Sequence, residues 1–346
     1  VKTQVESQSQ LIRDFQRTGA IHLRGVLDAK EVRDLRAEIQ GAFRPLDQRA
    51  PEKDLVRALS VATVLRMESV MRTIVRPRIV AALKAILEPH FQIIPDFHIH
   101  RNLYDFTDTR RSVTHLFGLI GSGWHYDAGN EGAKAYLYDP RYRMVKCGLY
   151  LQDNTFEWGG GIVIAPGGHK LPLRTGVPKL NYVAQRMWQN FRVLTGEKTL
   201  DIKAGDFVAF DALLPHRGAQ PYELMRTVGV RERETGCIRL PEERAKLVVY
   251  FNASRTELAT TYMRHSLMRG FEELKRLRNG SGREIFFSDF AGLRYPDDYP
   301  SVFVSMLKQN GIGMAHLNGD ELKAASALRQ EILADSNLSN YESAFK

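Results

Sequence analysis

His125 and Asp127 stand two residues apart in Gly123-Trp124-His125-Tyr126-Asp127, and His216 follows about ninety residues later in Pro215-His216-Arg217-Gly218. Side chains two positions apart share a face only in extended backbone; in a helix they point to nearly opposite sides. The stretch therefore asks for a strand. If a later strand delivers His216 to the same face, two imidazoles and one carboxylate occupy three corners of a metal ion. The remaining positions stay open, which is the donor pattern of non-haem Fe(II) oxygenases. H-x-D alone is a common tripeptide, so the rest of the chain has to carry the reading.

From Phe91 to Ser254 the sequence is built for strands. Phe91-Gln92-Ile93-Ile94, Phe97 to Tyr104, Thr114 to Ile120, Lys146 to Gln152, Gly160 to Pro166, Phe207 to Phe210 and Leu247 to Phe251 are short apolar or alternating runs. Gly and Pro turns separate them, Gly121-Ser122-Gly123 among these, which implies a closed or double-sheet β structure. Before this core, Leu11, Ile12 and Phe15 predict a helix over 8–17 that Thr18-Gly19 stops. Ala20 to Leu27 reads as a strand with a turn, and Asp28 caps a helix whose stripe is Val32, Leu35, Ile39 and Phe43. Apolar residues at threes and fours predict helix from Asp54 until Pro77, with a second helix over 79–87. After Ser254 the pattern is helical again to Asn279-Gly280-Ser281-Gly282. A turn-rich joint at Tyr295 to Pro300 and two short helices finish the chain.

The 346 residues hold 43% hydrophobic and 26% charged residues, and no apolar run reaches the 18 or so needed to cross a bilayer. Two cysteines, Cys147 and Cys237, argue against a disulfide framework and for a reducing compartment. The polar opening Val1-Lys2-Thr3-Gln4 carries no signal core, so the expected setting is cytoplasmic. The net charge of +9 fits an anionic small molecule or simply a solvated basic surface. No nucleic-acid motif accompanies it, and no membrane partner is expected.

Among ten histidines, His98 and His100 are the main rivals to the triad, because they too share a strand face; the ordinary reading is strand histidines satisfied by hydrogen bonds. His169 lies in the turn Pro166-Gly167-Gly168-His169-Lys170, as a structural or rim residue. His22, His115, His265 and His316 have no ligand partner at suitable spacing. Three features set His125, Asp127 and His216 apart. Lys203-Ala204-Gly205-Asp206-Phe207 feeds a buried strand that ends near His216, a Gly-rich strand lies between the two halves, and Arg244 heads a later strand with a guanidinium suited to a carboxylate.

With these residues in place the chain resembles the phytanoyl-CoA dioxygenase family of Fe(II) and 2-oxoglutarate dependent oxygenases. The likeness covers residues 8–45 and 91–254: Phe15 to Ala20 through Gly25-Val26-Leu27, W-H-x-D, P-G-G-H-K, G-D-F and H-R-G. It implies a mainly β double-stranded β-helix, a jelly roll of cupin-like type flanked by helices. A single oxygenase domain would then divide into an N-terminal helical layer over 1–90, the core over 91–254 and a helical C-terminal extension over 255–346. It also implies Fe(II), 2-oxoglutarate and O2 as cofactor and co-substrates. By position, His125, Asp127 and His216 resemble the iron ligands and Arg244 the partner of the distal 2-oxoglutarate carboxylate. Arg244 follows His216 by 28 residues, a longer interval than the family's, so an insertion stands between them. Arg226 lies nearer the usual distance but heads no apolar strand, and is the alternative. Asn102 resembles a co-substrate contact and Phe210 a wall residue.

The implied reaction is oxidation of an unactivated C-H of a small-molecule metabolite, with 2-oxoglutarate converted to succinate and CO2. Halogenating relatives lack the carboxylate ligand, so Asp127 favours hydroxylation or desaturation. A non-redox cupin-type isomerase uses similar histidines but explains neither Arg244 nor the N-terminal match; a non-catalytic binding member sits poorly with an intact triad. Arg110, Arg111, Arg226, Arg231, Arg233 and Arg239 fall in two stretches, 103–122 and 222–243, read as extended loops at the barrel mouth. They favour a substrate bearing a carboxylate or phosphate unless they are ordinary solvated loop charges.

Overall fold

The computed structural model describes residues 8–49, 56–59, 61–87, 89–102, 104–106, 124–127, 143–155, 161–171, 177–218, 237–239, 246–278 and 289–334. In chain order the strands are β1 (Ala20–Leu23), β2 (Val56–Leu59), β3 (Phe91–Asn102), β4 (Tyr104–Phe106), β5 (Met144–Tyr150), β6 (Ile162–Ile164), β7 (Lys198–Thr199), β8 (Phe207–Asp211), β9 (His216–Gly218), β10 (Cys237–Arg239), β11 (Lys246–Arg255) and β12 (Gly313–Met314). The helices are α1 (Gln8–Thr18), α2 (Ala29–Arg49), α3 (Val61–Leu65), α4 (Glu68–Ile74), α5 (Pro77–Leu87), α6 (Pro178–Thr195), α7 (Thr256–Arg278), α8 (Ser301–Gln309) and α9 (Gly319–Ala334). They group into two compact units, Val1–Val32 with Arg101–Val248, and Arg33–His100 with Val249–Lys346.

The first unit carries the chemistry. β8 lies between β1 and β5, antiparallel to both, with Phe210 opposite Ala20 on one side and Lys146 on the other. All five residues of β8 are buried, the apolar run Phe207 to Phe210 as a strand inside a sheet requires and Asp211 with them. A smaller antiparallel sheet runs β7-β6-β9, pairing Ile164 with His216. β4 and β10 form a separate two-stranded ribbon, so strands stand in both stretches read as loops.

The Gly-Asp-Phe stretch before β8 ties the N-terminal strand down. Asp206 accepts hydrogen bonds from the backbone N–H of Gly25 and of Lys203, and pairs with His22 Nε2 at 2.8 Å. Burial alone would push its pKa up, but these bonds hold it below the usual carboxylate value. Gly205 has φ +89°, and a Cβ there would lie 2.4 Å from the Leu27 carbonyl oxygen, so the turn admits glycine alone.

In the second unit β3 lies between β11 and β12, and β2 also pairs with β3. The core includes Ile39 and Phe43 of α2, Ile79 and Leu83 of α5, and Phe97 packed edge-on to Phe303 at 5.9 Å. Asp28 caps α2 as expected: its side chain accepts from the Glu31 N–H, and Glu31 accepts from the Asp28 N–H, both at 2.9 Å.

Three expectations change here. The helix expected from Asp54 to Pro77 begins instead as strand β2, followed by two short helices; four residues of mixed apolar and polar type do not distinguish a period of two from one of three or four. Pro77 opens α5 rather than interrupting a helix, since the first helical position has no N–H to lose. The two runs over 91–104 are one strand through Pro95, ending at Asn102. The expected strand Thr114 to Ile120, the Gly121-Ser122-Gly123 turn and the Asn279 to Gly282 break lie outside the described residues.

Candidate metal centre

The expected H-x-D strand is shorter than the sequence implied. Its ladder is a single bridge, His125 opposite His216, and Asp127 already stands in a turn. The two residues exchange both backbone hydrogen bonds, His125 N to His216 O at 2.9 Å and His216 N to His125 O at 2.8 Å. Residues directly opposite in an antiparallel pair carry their side chains on the same face. That pairing alone sets the two imidazoles side by side, with ring centroids 4.3 Å apart. Asp127, two residues on, joins them. Its Oδ1 lies 4.0 Å from His125 Nε2 and its Oδ2 3.6 Å from His216 Nε2.

Alternation explains the rest of the segment. Trp124 and Tyr126 are buried while His125 is exposed, so the aromatic residues face the opposite way from the donors. Trp124 packs with Val163 and Ala165. Two guanidiniums cover these rings, Arg217 over Trp124 at 5.4 Å and Arg186 over Tyr126 at 5.2 Å.

His216 is delivered by the turn from β8 to β9. Asp211 makes that turn: its carbonyl accepts from the Leu214 N–H at 2.8 Å and its side chain from the Leu213 N–H at 2.9 Å. Burial raises the Asp211 carboxyl to a pKa of about 6. The Leu214 carbonyl lies 3.0 Å from His216 Nδ1. A carbonyl only accepts, so Nδ1 carries the proton and Nε2 presents its lone pair toward Asp127. Burial lowers the His216 pKa to about 4, with His125 and Lys146 pushing the same way and Asp127 opposing. The ring is neutral near pH 7, the form a metal requires.

The donor atoms of His125, Asp127 and His216 all lie within 4.8 Å of one another, and this is the one such group among the described residues. Two imidazole nitrogens and one carboxylate fit a divalent first-row metal, with coordination positions left over for other ligands. Phe210 lies against His216 with ring centroids 4.5 Å apart, and Lys146 on the neighbouring strand places Nζ 3.6 Å from Asp127 Oδ2. No motif marks Lys146; strand register brings it there. Asn102 ends β3, while Arg244, Arg226, Arg110, Arg111, Arg231 and Arg233 lie outside the described residues; Arg239 ends β10. His169 is half-buried, its ring 6.2 Å from Phe15 and its pKa lowered to about 4 by desolvation, Lys170 and Arg143.

The chain belongs to the phytanoyl-CoA dioxygenase family, whose model matches residues 15–221. Its fold is the double-stranded β-helix with flanking helices, and it is an Fe(II) and 2-oxoglutarate dependent enzyme; the His-Asp-His donor set fits the iron. No curated protein matches the chain. Solved structures similar to it include HygX from Streptomyces hygroscopicus with nickel and 2-oxoglutarate bound, at 17% identity over 72% of this chain and 88% of that one, TM-score 0.45. EctD from S. alaskensis with 2-oxoglutarate and 5-hydroxyectoine is similar at 18% identity over 74% and 79%, TM-score 0.44. The epimerase SnoN from nogalamycin biosynthesis, described as non-haem and alpha ketoglutarate dependent, is similar at 15% identity over 72% and 83%, TM-score 0.44. No described helix is long and apolar enough to cross a membrane.

Proposed function

We propose that the protein is a dioxygenase that oxidises an unactivated C-H of a small-molecule metabolite, by hydroxylation or a related outcome, while 2-oxoglutarate becomes succinate and CO2. The observation that carries this reading is the convergence of the His125, Asp127 and His216 donors. In this reading these three hold Fe(II). The loaded metal supplies the oxidant that removes hydrogen from the substrate.

The chain's own residues do the rest. His216, fixed by the Leu214 carbonyl, keeps Nε2 on the metal side. Lys146 Nζ, 3.6 Å from Asp127 Oδ2, sets a positive charge beside the carboxylate. Phe210 forms an apolar wall that excludes water. Arg244, with Arg226 as the alternative, pairs with the distal carboxylate of 2-oxoglutarate, and Asn102 contacts the co-substrate. Arg110, Arg111, Arg226, Arg231, Arg233 and Arg239 favour a substrate carrying a carboxylate or phosphate. The whole chain acts as one oxygenase domain in a cytoplasmic setting.

Adding 2-oxoglutarate to the anaerobic Fe(II) protein is expected to give a weak visible charge-transfer band, and admitting O2 to release succinate. An isomerase or a non-catalytic binder gives neither. Metal binding with no band and no succinate would sink the proposal.

A further inference from the structure

α6 is amphipathic the wrong way round. Its polar side faces its own protein: Gln185 donates to the Gly168 carbonyl, Trp188 Nε1 to Gly167, Gln189 to Leu213 and Arg192 to Pro166, at 2.8 to 3.0 Å. Its apolar side faces out. Six of the eight large apolar residues exposed among the described residues lie between Val177 and Leu194. Leu180 is 52% exposed, Val183 51%, Met187 68%, Phe191 51% and Leu194 65%. A surface helix ordinarily turns this stripe to the core.

The spacing of the stripe identifies its partner. From Leu180 the intervals are three, four, four and three residues, the same from either end, with Met187 at the centre. Two such helices laid antiparallel set Leu180 against Leu194, Val183 against Phe191 and Met187 against itself. That is the self-complementarity of a two-fold contact, and antiparallel packing also aligns the helix dipoles favourably.

We propose that α6 is the contact between two copies of this chain, paired antiparallel about a two-fold axis at Met187. A bilayer is the weaker fit, because a membrane-surface helix sets its cations beside the apolar face. Here Arg186 is turned onto the Tyr126 ring and Arg192 onto the Pro166 carbonyl. A small ligand is a poor fit to a convex face. At 1.5 Å per residue the stripe is about 21 Å long. One helix pair falls short of the roughly 800 Å² per partner of a standard interface, so the dimer is weak and concentration-dependent. Its inner face braces the turn that delivers His216, so the contact sits directly behind the metal-site scaffold.

Cysteine cross-linking of the full chain tests the pairing, with the natural cysteines alone as control. Met187→Cys is expected to cross-link to itself under mild oxidation. Leu180→Cys is expected to cross-link only when mixed with Leu194→Cys. Self-linking of Leu180→Cys without that mixed product would mean parallel packing and overturn the proposal, as would no cross-link from Met187→Cys. Sedimentation from about 1 to 100 µM, a range suited to micromolar affinity, is expected to show a monomer–dimer equilibrium that Met187→Glu abolishes with its circular dichroism unchanged. A wild type that stays monomeric throughout, or a dimer that survives Met187→Glu, rejects it. So does a monomer that floats with phosphatidylglycerol vesicles and loses that binding in Met187→Glu, which would make α6 a membrane contact.

Discussion

Two strand segments of this protein hold histidines that compete for the same role. His98 and His100 share a face of β3, with ring centroids 4.7 Å apart, much as His125 and His216 lie 4.3 Å apart. Ring proximity therefore does not separate the pairs. What differs is the third group. At the bridge, Asp127 reaches both imidazoles. On β3, Tyr250 lies 5.3 and 5.4 Å from the two rings, and Asp96 lies 3.5 Å from His98 Nδ1 while also accepting from Asn252 and Tyr262. One strand spaces alternate residues along its length and opens a line. Two strands facing each other across a ladder close a triangle, and a metal requires the triangle.

The largest expected effect removes one corner. His216→Ala should weaken anaerobic Fe(II) binding by more than about 100-fold, beyond the loss typical of an outer-shell partner. It should also abolish 2-oxoglutarate-dependent succinate formation, whereas His98→Ala and His100→Ala leave metal affinity within about threefold, as residues that share no partner with the triad do. Equal losses in both pairs would break the distinction.

A smaller effect comes from the scaffold behind His216. A Cβ on Gly168 would lie 2.6 Å from Pro215 Cδ and 3.0 Å from the Ala165 carbonyl oxygen. Gly168→Ala should cost about 1–3 kcal/mol of stability as overpacking does and weaken metal binding by about tenfold as loss of outer-shell support does. Urea unfolding and metal titration read these separately; lost stability with unchanged metal affinity would show that the turn does not set the ligand.

The smallest effect separates burial from ligation, because His169 and His216 are both held to about 4 and only one stands at the triad. Between pH 6.5 and about 4 the unfolded chain takes up protons these rings refuse in the native state. Stability of the metal-free protein therefore falls as pH falls through that window. Asp211 acts in the opposite sense: raised from 3.8 to about 6, it holds a proton in the folded state, and its favourable contribution is lost as pH rises through 6. His169→Gln should flatten the acid slope by up to about 1.4 kcal/mol per pH unit while metal affinity stays within about threefold. Urea midpoints across pH 4 to 7 check it, and an unchanged slope would show that His169 already titrates normally when folded.

Much of this was legible before any coordinates. The α2 stripe and its Asp28 cap, β8 as a buried run and the candidacy of His125, Asp127 and His216 as metal donors follow from local periodicity and from which residue types bind metals. β2 is not legible as a strand because four residues are too few to fix a period. The apolar spacing of α6 is regular, but its outward stripe runs against the rule that sends such a stripe to the core.

The order of the chain by itself determined which side chains are able to act as donors and that the first two share a face wherever the backbone is extended, because alternation is a property of a single strand. Only the folded sheet decided that His216 faces His125, that Lys146 stands beside Asp127, and that α6 docks by its polar side. Each of these depends on register between segments distant in sequence, and the backbone hydrogen bonds that set register carry no signature of the residues they join.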